Sequence, residues 1–292
     1  MSALRTSPGY RVFTVINTLF LLGVVFITLF PFVNIVAQSF SSNAAIVAGQ
    51  VSLWPVGFNT TTYQAVASDA MFWTNYRNTV VYTVVATAIS LFLTTCYAYV
   101  LSKQHLKGRN LLIGIAVFTM FFNGGLIPNY ILINTLGWMN TMWAVVVPNA
   151  ISVFNLLVMK AFFEGMPVEL EEAAAIDGLN QLQTFGMVIL PLAKAVLATM
   201  LLFYAVAHWN AWFGAFLYMT QREMFPVTIY LRNMIAGTTG ANDVGAGVDN
   251  QAQIAGNIKA VTMVLTVLPI LTVYPFVQRY FVTGVMLGSV KG

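Results

Sequence analysis

The segment Glu169-Leu170-Glu171-Glu172-Ala173-Ala174-Ala175-Ile176-Asp177-Gly178 interrupts a chain that is otherwise dominated by apolar stretches. The chain has nine acidic residues, and five of them lie within residues 164–177. Pro167 suits the first position of a helix, and Glu169 lies in the first turn, where a carboxylate meets the positive end of the helix dipole. Gly178 suits the left-handed position that ends a helix. The sequence therefore predicts a short charged helix of about three turns.

The two alanines Ala173 and Ala174 give this predicted helix a low-profile face. Such a face lets the surface of another protein approach closely, so we expect a partner to press on this helix. The local pattern is equally compatible with a solvated amphipathic loop between two membrane helices.

Composition excludes an ordinary soluble domain. The chain of 292 residues is 59% hydrophobic and 8% charged, whereas globular proteins carry about a quarter charged residues. The single cysteine, Cys96, excludes a disulfide framework and a multi-cysteine metal site. The histidines His105 and His208 have no companions at ligand spacing, so no metal or other cofactor is expected on this chain.

Six apolar segments are long enough to cross the ~30 Å hydrocarbon core of a bilayer. They span approximately residues 12–30, 79–101, 111–133, 142–163, 192–219 and 260–282. The sequence therefore predicts an all-α integral membrane protein with six transmembrane helices, forming a single transmembrane domain over residues 1–292.

The third predicted span contains Asn123-Gly124-Gly125 and Pro128, which weaken a helix inside the membrane. Backbone groups freed at that depth must be buried in protein or face a wet cavity, so this span is expected to face the protein interior. Close helix packing is the alternative role for the two glycines. A place on a cavity is the interpretation favoured for Asn123.

Charge distribution predicts the orientation in the membrane. With six spans, both termini lie on one side, and that side carries nine basic residues: Arg5, Arg11, Lys103, Lys107, Arg109, Lys160, Lys194, Arg279 and Lys291. The other side carries four: Arg77, Arg222, Arg232 and Lys259. This asymmetry places both termini and the acidic segment in the cytoplasm and the polar loop over residues 220–257 outside. Basic residues cluster at span ends, so no nucleic-acid partner is expected.

The residues around the acidic segment resemble the signature of permease subunits of ATP-binding-cassette importers. That signature is Glu-Ala-Ala, three residues, Gly, nine residues and Ile-x-Leu-Pro. This chain has Glu172-Ala173-Ala174, Gly178 and Val188-Ile189-Leu190-Pro191, so only Val188 departs from it. The resemblance implies the type I importer permease fold, and it covers the whole chain.

Three further segments refine the resemblance. The ending Gly-Ser-Val-Lys-Gly at residues 288–292 is similar to that of the smaller permease of maltose-type sugar importers. The segments at residues 122–128 and 208–213 look like the branch that handles oligo- and polysaccharides, and within that branch the chain resembles an alginate importer permease.

The resemblance implies a non-enzymatic transport subunit whose coupling helix, at about residues 167–178, docks on a separate ATPase. The residues that it implies for ATPase coupling are Glu169, Glu171, Glu172, Ala173, Ala174, Asp177, Gly178 and Pro191. Among them, Glu172 is expected to meet a basic residue of the ATPase. The cytoplasmic tail, residues 284–292, is expected to reach the ATPase through Val290, Lys291 and Gly292.

The implied assembly contains a second permease, identical or different, two ATPases that bind ATP and Mg²⁺, and an extracytoplasmic solute-binding protein at the 220–257 loop. It lies in the lipid of the bacterial cytoplasmic, or inner, membrane. The chain has no GxxxxGK[ST] phosphate-binding loop, so ATP hydrolysis resides on a partner subunit.

The expected cargo is a saccharide, which is bound by flat aromatic faces together with amides and hydroxyls. The candidate pathway residues are polar or aromatic side chains within spans: Asn123, Asn155, His208, Trp209, Asn210 and Trp212. Trp209 and Trp212 are three residues apart, which places them on one face of a continuous helix. The alternative is that these tryptophans anchor a helix end at the membrane interface.

Two other functions are compatible with parts of the chain. An ion-coupled secondary carrier, working without an ATPase, also has interrupted helices like the third span. An integral membrane enzyme would use His208 and the cytoplasmic acidic residues, but no set of nucleophile, base and orienting residue is visible.

Overall fold

The computed structural model describes the backbone of residues 8–240 and 257–272 and the side chains of residues 9–233 and 257–272. Regular structure in these ranges is helical throughout. In chain order the α-helices are α1 (Pro8–Ser39), α2 (Asn43–Val47), α3 (Thr61–Ser68), α4 (Ala70–Ser102), α5 (Arg109–Phe121), α6 (Leu126–Thr135), α7 (Trp143–Val146), α8 (Val153–Glu164), α9 (Glu169–Ile176), α10 (Gln181–Thr184), α11 (Leu190–Leu192), α12 (Lys194–Trp209), α13 (Phe213–Tyr218), α14 (Val227–Gly240) and α15 (Asn257–Thr272). A π-helix, Phe185–Ile189, precedes α11, and a 3₁₀ turn, Arg222–Met224, precedes α14.

The chain divides into two compact units, one of residues 1–69 and 231–267 and the other of residues 70–230 and 268–292. In the first unit, α1 has 32 residues and is therefore about 48 Å long. Its apolar side chains are exposed along most of that length, as expected of a span surrounded by lipid or by another subunit. Its carboxyl end is fixed by Asn34, whose Nδ2 donates to the carbonyls of Val51 at 3.1 Å and Ser52 at 2.8 Å.

In the second unit, α4 packs along α8 and α12. Buried hydroxyl residues at helical spacing form one stripe of α4: Thr79, Thr83, Thr87, Ser90 and Thr94. Part of this stripe makes hydrogen bonds to α12, because the Thr94 and Tyr204 hydroxyls are 2.6 Å apart and Ser90 Oγ is 3.1 Å from His208 Nε2. The Tyr204 hydroxyl also accepts from the backbone N–H of Ser152 at 3.1 Å. These bonds hold α4, α12 and the start of α8 in register.

Among the described helices, α1 and α4 are long and apolar enough to cross a membrane unbroken, and up to four spans result if each bent pair counts as one. The third predicted span is one such pair, because α5 and α6 meet at an angle of 111°. The break falls at Asn123-Gly124-Gly125, where Gly125 has φ of 91°. The predicted weakness in this span is confirmed, and the segment is not one straight helix. The number of six spans stays a prediction.

The fourth and fifth predicted spans are also interrupted. Residues 147–152 separate α7 from α8, and Pro148 within them cannot donate to a helix ladder. Ser152 then caps α8 by accepting from the Asn155 N–H at 3.4 Å. Residues 210–212 separate α12 from α13. Of the sixth predicted span, residues 273–282 lie outside the described part of the chain.

Candidate functional sites: the acidic helix and an amide-lined cavity

The acidic helix, α9, begins at Glu169 rather than at Pro167. The first turn is tight, because the N–H groups of Leu170 and Glu171 donate to carbonyls three residues back, at 3.3 and 3.0 Å. Pro167 supplies the first of those carbonyls and so precedes the helix instead of opening it.

The helix ends at Gly178, which has φ of +80°. The Gly178 N–H donates to the Ala175 carbonyl, and the Leu179 N–H donates to the Ala174 carbonyl, both at 3.0 Å. This pair of bonds is the Schellman arrangement, which requires a left-handed residue at this position. The sequence predicted that conformation for Gly178.

One carboxylate of the helix is paired within the chain. Glu171 forms an ion pair with Lys103, which follows α4. The Lys103 ammonium also lies 3.9 Å from the centroid of the Tyr99 ring. Glu164, just before the helix, pairs with Arg109 and, at 2.8 Å, with Lys160. Through these ion pairs, the acidic helix and the residue Glu164 before it are attached to α4, α5 and α8.

The exposed side of the helix differs from the expected alanine face. Ala174 is only 4% exposed and faces its own chain, because neighbouring helical residues point about 100° apart. The other predicted coupling residues of the segment, Glu169, Glu172, Ala173, Asp177 and Gly178, are exposed, and Glu171 is half-buried. The sequence interpretation missed Ile176, 86% exposed, and Leu182, 82% exposed. The sequence signal that could have identified them is an apolar side chain within an otherwise polar stretch.

Both ends of the segment that contains α9 are buried in the same core. Phe163 at the end of α8 and Ile189 after the acidic helix belong to one cluster with Leu156, Met159 and Met200. The Tyr99 ring contacts both flanks, with its centroid 5.9 Å from that of Phe163 and 4.5 Å from that of Phe185. Both flanks of the acidic helix are therefore held by the same packed core.

Pro191 lies away from the acidic helix, at a sharp bend. The helical segment Gln181–Leu192 meets α12 at 81°. The π-helix just before Pro191 has the Leu190 N–H bonded to the Phe185 carbonyl, and Pro191 itself has no N–H to continue the ladder. Its place indicates a role in setting the direction of α12.

A cavity of about 920 Å³ lies where the broken spans of the second unit meet. The α5–α6 break, the α7–α8 connection and the α12–α13 break all contribute to its lining. Three of the predicted pathway residues, Asn123, Asn210 and Trp212, line it. The backbone is irregular at these three breaks, and asparagine side chains at the breaks line the cavity. Irregular backbone next to a cavity is expected of interrupted spans.

The other three predicted pathway residues lie elsewhere. Asn155 is buried in α8 at 7% exposure, and His208 lies beside Ser90. Trp209 packs edge-on against Tyr76, with the ring centroids 5.9 Å apart. The expectation that Trp209 and Trp212 share a helical face is wrong, because α12 ends at Trp209 and the turn that follows reorients the chain.

Two further amides, Asn129 and Asn149, also line the cavity, and the sequence interpretation did not select them. Asn123 Oδ1 accepts from the Gly125 N–H at 3.0 Å and from Asn129 Nδ2 at 3.2 Å. Asn210 Nδ2 donates to the Val206 carbonyl at 2.8 Å. The pairing of Asn123 with Asn129 fixes the shape of the α5–α6 break.

Some expected sites lie outside the described residues. They include the tail residues Val290, Lys291 and Gly292 and the part of the 220–257 loop over residues 241–256. Within the described part of the chain, no group of three His, Cys, Asp or Glu side chains is placed to hold a metal ion.

Comparison with known proteins gives consistent similarities. Residues 70–286 match the family described as binding-protein-dependent transport system inner membrane component. Protein LplC of Bacillus subtilis strain 168 is 42% identical over 290 residues, which cover 99% of this chain and 97% of LplC. The polygalacturonan/rhamnogalacturonan transport system permease protein YtcP of the same strain is 37% identical over 286 residues, covering 97% of this chain and 99% of YtcP.

A solved structure is similar over nearly the whole fold. It is a crystal structure of a bacterial ABC transporter involved in the import of the acidic polysaccharide alginate. One of its chains superimposes with a TM-score of 0.84 at 33% sequence identity, covering 96% of this chain and 100% of that one.

Proposed function

The chain belongs to the family of binding-protein-dependent transport system inner membrane components, and from that membership we propose that it serves an ATP-driven importer of oligo- or polysaccharides. It is a membrane permease subunit with the all-helical type I ABC permease fold. Relatives described as saccharide permeases support this cargo class. They also favour an ATP-driven importer over the ion-coupled carrier that the broken spans allowed.

The proposed assembly lies in the bacterial cytoplasmic membrane with both termini of this chain inside. This chain and a second permease, identical or different, form the two halves of the pathway. Two ATPase subunits bind ATP and Mg²⁺ on the cytoplasmic side, and a solute-binding protein delivers the saccharide from outside, at the 220–257 loop. The distribution of basic residues in the sequence supports this orientation.

Coupling in this proposal runs through the acidic helix. The observation that carries it is the burial of Phe163 and Ile189, on either side of that helix, in one core. Closure of the ATPases on ATP pushes the helix, and the shared core moves α8 and α12 with it. Alternating access at the cavity between the broken spans is the result.

The residues of this segment have different proposed roles in coupling, depending on whether they are exposed or buried. Ile176 and Leu182 are exposed apolar side chains, and Glu169, Glu172, Ala173 and Asp177 are exposed polar or small side chains. We assign these residues to the ATPase contact, together with the tail residues Val290, Lys291 and Gly292. Glu171 and Ala174 instead hold the helix to its own chain, Gly178 ends the helix, and Pro191 sets the bend that follows.

The cavity is the proposed contribution of this chain to the substrate pathway that it forms with the second permease. Asn123 and Asn210 supply carboxamides, and Trp212 supplies an aromatic face. Carboxamides can form hydrogen bonds with sugar hydroxyls, and aromatic rings can pack against the apolar C–H faces of sugar rings. A pocket with mostly apolar walls and a few convergent polar groups is the usual form of a binding site.

Uptake by the complete transporter in proteoliposomes tests this function. We expect saccharide uptake only when ATP reaches the ATPases and the binding protein is present on the opposite side. Vesicles that contain this chain alone provide the control. Uptake by those vesicles, driven by a proton or sodium gradient without ATP, would support the secondary carrier and contradict the proposal.

A further inference from the structure

The chain carries no Asp, Glu, Lys, Arg or His between Arg11 and Asp69. This interval contains α1, but it also contains α2, α3 and the connections between them. Globular proteins carry about a quarter charged residues, so a connection of this length that faced bulk water would be expected to carry several. The composition therefore indicates that the segment beyond α1 lies at a surface less polar than bulk water.

The position of Asn34 on α1 gives the depth at which this segment begins. A charged side chain is costly inside the hydrocarbon core, so the core begins after Arg11. About 20 helical residues cross the ~30 Å core, which places its other edge near Phe32. Asn34 lies two residues beyond Phe32, about 3 Å along the helix. It is therefore at the level of the lipid headgroups.

Asn34 brings the following segment back to that level. Its Nδ2 group donates to the carbonyls of Val51 at 3.1 Å and Ser52 at 2.8 Å. The helix itself continues to Ser39, about 7 Å farther from the core. Trp54 follows Ser52 by two residues, so their Cα atoms are within about 7 Å of each other. The chain thus returns toward the bilayer before it reaches Trp54.

Further hydrogen bonds hold the chain after Trp54 against the residues that follow α1. The Val56 N–H donates to Ser41 Oγ, and the Ser42 N–H donates to the Val56 carbonyl, both at 3.0 Å. Gly57 has φ of +65°, and a Cβ there would lie 2.7 Å from Ser42 Oγ, so this close approach requires glycine. Residues 51–58, called the returning loop below, therefore have a defined fold.

The returning loop exposes two large aromatic side chains. Trp54 is 80% exposed, and Phe58 is 71% exposed although its ring stacks on that of Phe40 with the centroids 5.8 Å apart. Exposure of such rings to water is unfavourable, whereas tryptophan is enriched at the membrane–water interface. The depth is limited, because irregular backbone exposed to lipid does not occur within the hydrocarbon region.

We propose that the returning loop is a membrane-interface anchor, in which Trp54 and Phe58 contact lipid at the boundary between headgroups and acyl chains. The anchor lies at the face of the membrane where α1 ends. Lipid is the partner because the loop combines the headgroup depth set by Asn34 with a complete lack of charge. The contact depends on apolar burial and not on anionic lipid, since the loop has no basic residue. This inference requires neither the ATPase nor the saccharide.

A nitroxide label tests the depth of the loop directly. Trp54→Cys, in a background where Cys96 is replaced by Ser, is labelled in the complete transporter and reconstituted into phosphatidylcholine vesicles. Collisions with oxygen, which concentrates in lipid, are compared with collisions with a water-soluble nickel chelate. We expect oxygen to dominate at residue 54. Ser68→Cys is the matched control, because Ser68 is exposed in the same unit next to the charged Asp69, and there the nickel chelate should dominate.

Two results of the labelling would overturn the inference. Dominance of the nickel chelate at residue 54 would place the returning loop in water. A label that neither reagent reaches would show that a protein subunit, rather than lipid, covers the loop.

The native tryptophan provides a second arm that does not need the cysteine variant. The fluorescence lost between the wild type and Trp54→Phe is the emission of Trp54. We expect lipids brominated near the start of their acyl chains to quench most of this emission, equally with and without phosphatidylglycerol in the vesicles. Emission that brominated lipid leaves unchanged, or quenching that requires phosphatidylglycerol, would contradict an anchor held by apolar burial.

Discussion

Lys103 forms an ion pair with Glu171 of the acidic helix while its ammonium lies 3.9 Å from the centroid of the Tyr99 ring. Tyr99 in turn contacts Phe163 before the helix and Phe185 after it. One lysine therefore connects the exposed helix to the aromatic residues that bury both of its flanks. These contacts fix the orientation of the helix relative to the end of α4.

Replacing Lys103 by Met is expected to loosen the acidic helix without unfolding the bundle. The Lys103 side chain is 17% exposed and that of Glu171 is 35% exposed, so the pair is partly buried, and removing one partner is expected to cost about 1–3 kcal/mol. We expect more ATP to be hydrolysed per saccharide imported. The measurement is the ratio of ATPase rate to uptake rate in proteoliposomes.

Lys103→Arg is the conservative control and should keep a ratio near that of the wild type, because it retains the positive charge. An unchanged ratio in Lys103→Met would show that the Lys103–Glu171 pair is not needed for coupling.

Gly178→Ala tests the left-handed end of the acidic helix. A Cβ at Gly178 meets no atom within 4 Å, but φ there is +80°, and a left-handed alanine costs roughly 1–2 kcal/mol. The substitution should therefore fray the helix end and reduce co-purification of the ATPase severalfold. Gly186→Ala is the matched control, since it also has no atom within 4 Å and no left-handed φ. If both variants lost ATPase co-purification equally, the left-handed conformation of Gly178 would not be the cause of the loss.

The exposed apolar pair is predicted to form the centre of the ATPase contact. Ile176→Asp and Leu182→Asp should leave thermal stability unchanged, because both side chains are more than four-fifths exposed, at 86% and 82%. Each should weaken retention of the ATPase during purification by about tenfold or more, as loss of a buried interface side chain does. Val47→Asp in the first unit, where Val47 is 76% exposed, should have no such effect.

Tyr204→Phe removes a hydroxyl that lies between three helices. That group is 2.6 Å from the Thr94 hydroxyl and accepts from the Ser152 N–H at 3.1 Å. Both partners would lose a buried hydrogen bond, at a cost of about 1–3 kcal/mol. Thermal unfolding in detergent should show a lower midpoint than the wild type. Tyr97→Phe removes a hydroxyl that donates to the exposed Leu112 carbonyl at 3.2 Å and should change the midpoint much less.

Local sequence chemistry predicted the features that depend on single residues. Gly178 adopts the left-handed conformation that a glycine after a helix suggests, and Asn123-Gly124-Gly125 breaks the third apolar segment. Both follow from backbone rules that operate within a few residues. The membrane class follows from composition, and the family follows from fixed spacing of the motif at residues 172–191.

Features that depend on the rotation of a helix about its axis, or on where the helix ends, were not predictable in the same way. Ala174 and Ile176 differ in exposure because of how the acidic helix is rotated, and the ion pair with Lys103 depends on a contact between segments 68 residues apart. Trp209 and Trp212 separate because α12 ends between them. Asn129 and Asn149 line the same cavity from two different predicted spans, which single-segment patterns do not bring together.

The central claim is that the acidic helix is covered by an ATPase in the assembled transporter. The direct measurement is the maleimide reaction rate of Ile176→Cys, in a background where Cys96 is replaced by Ser, in the isolated chain and in the complete assembly. The account predicts strong protection upon assembly and no protection of Val47→Cys. Equal reaction rates at residue 176 in both forms would contradict it.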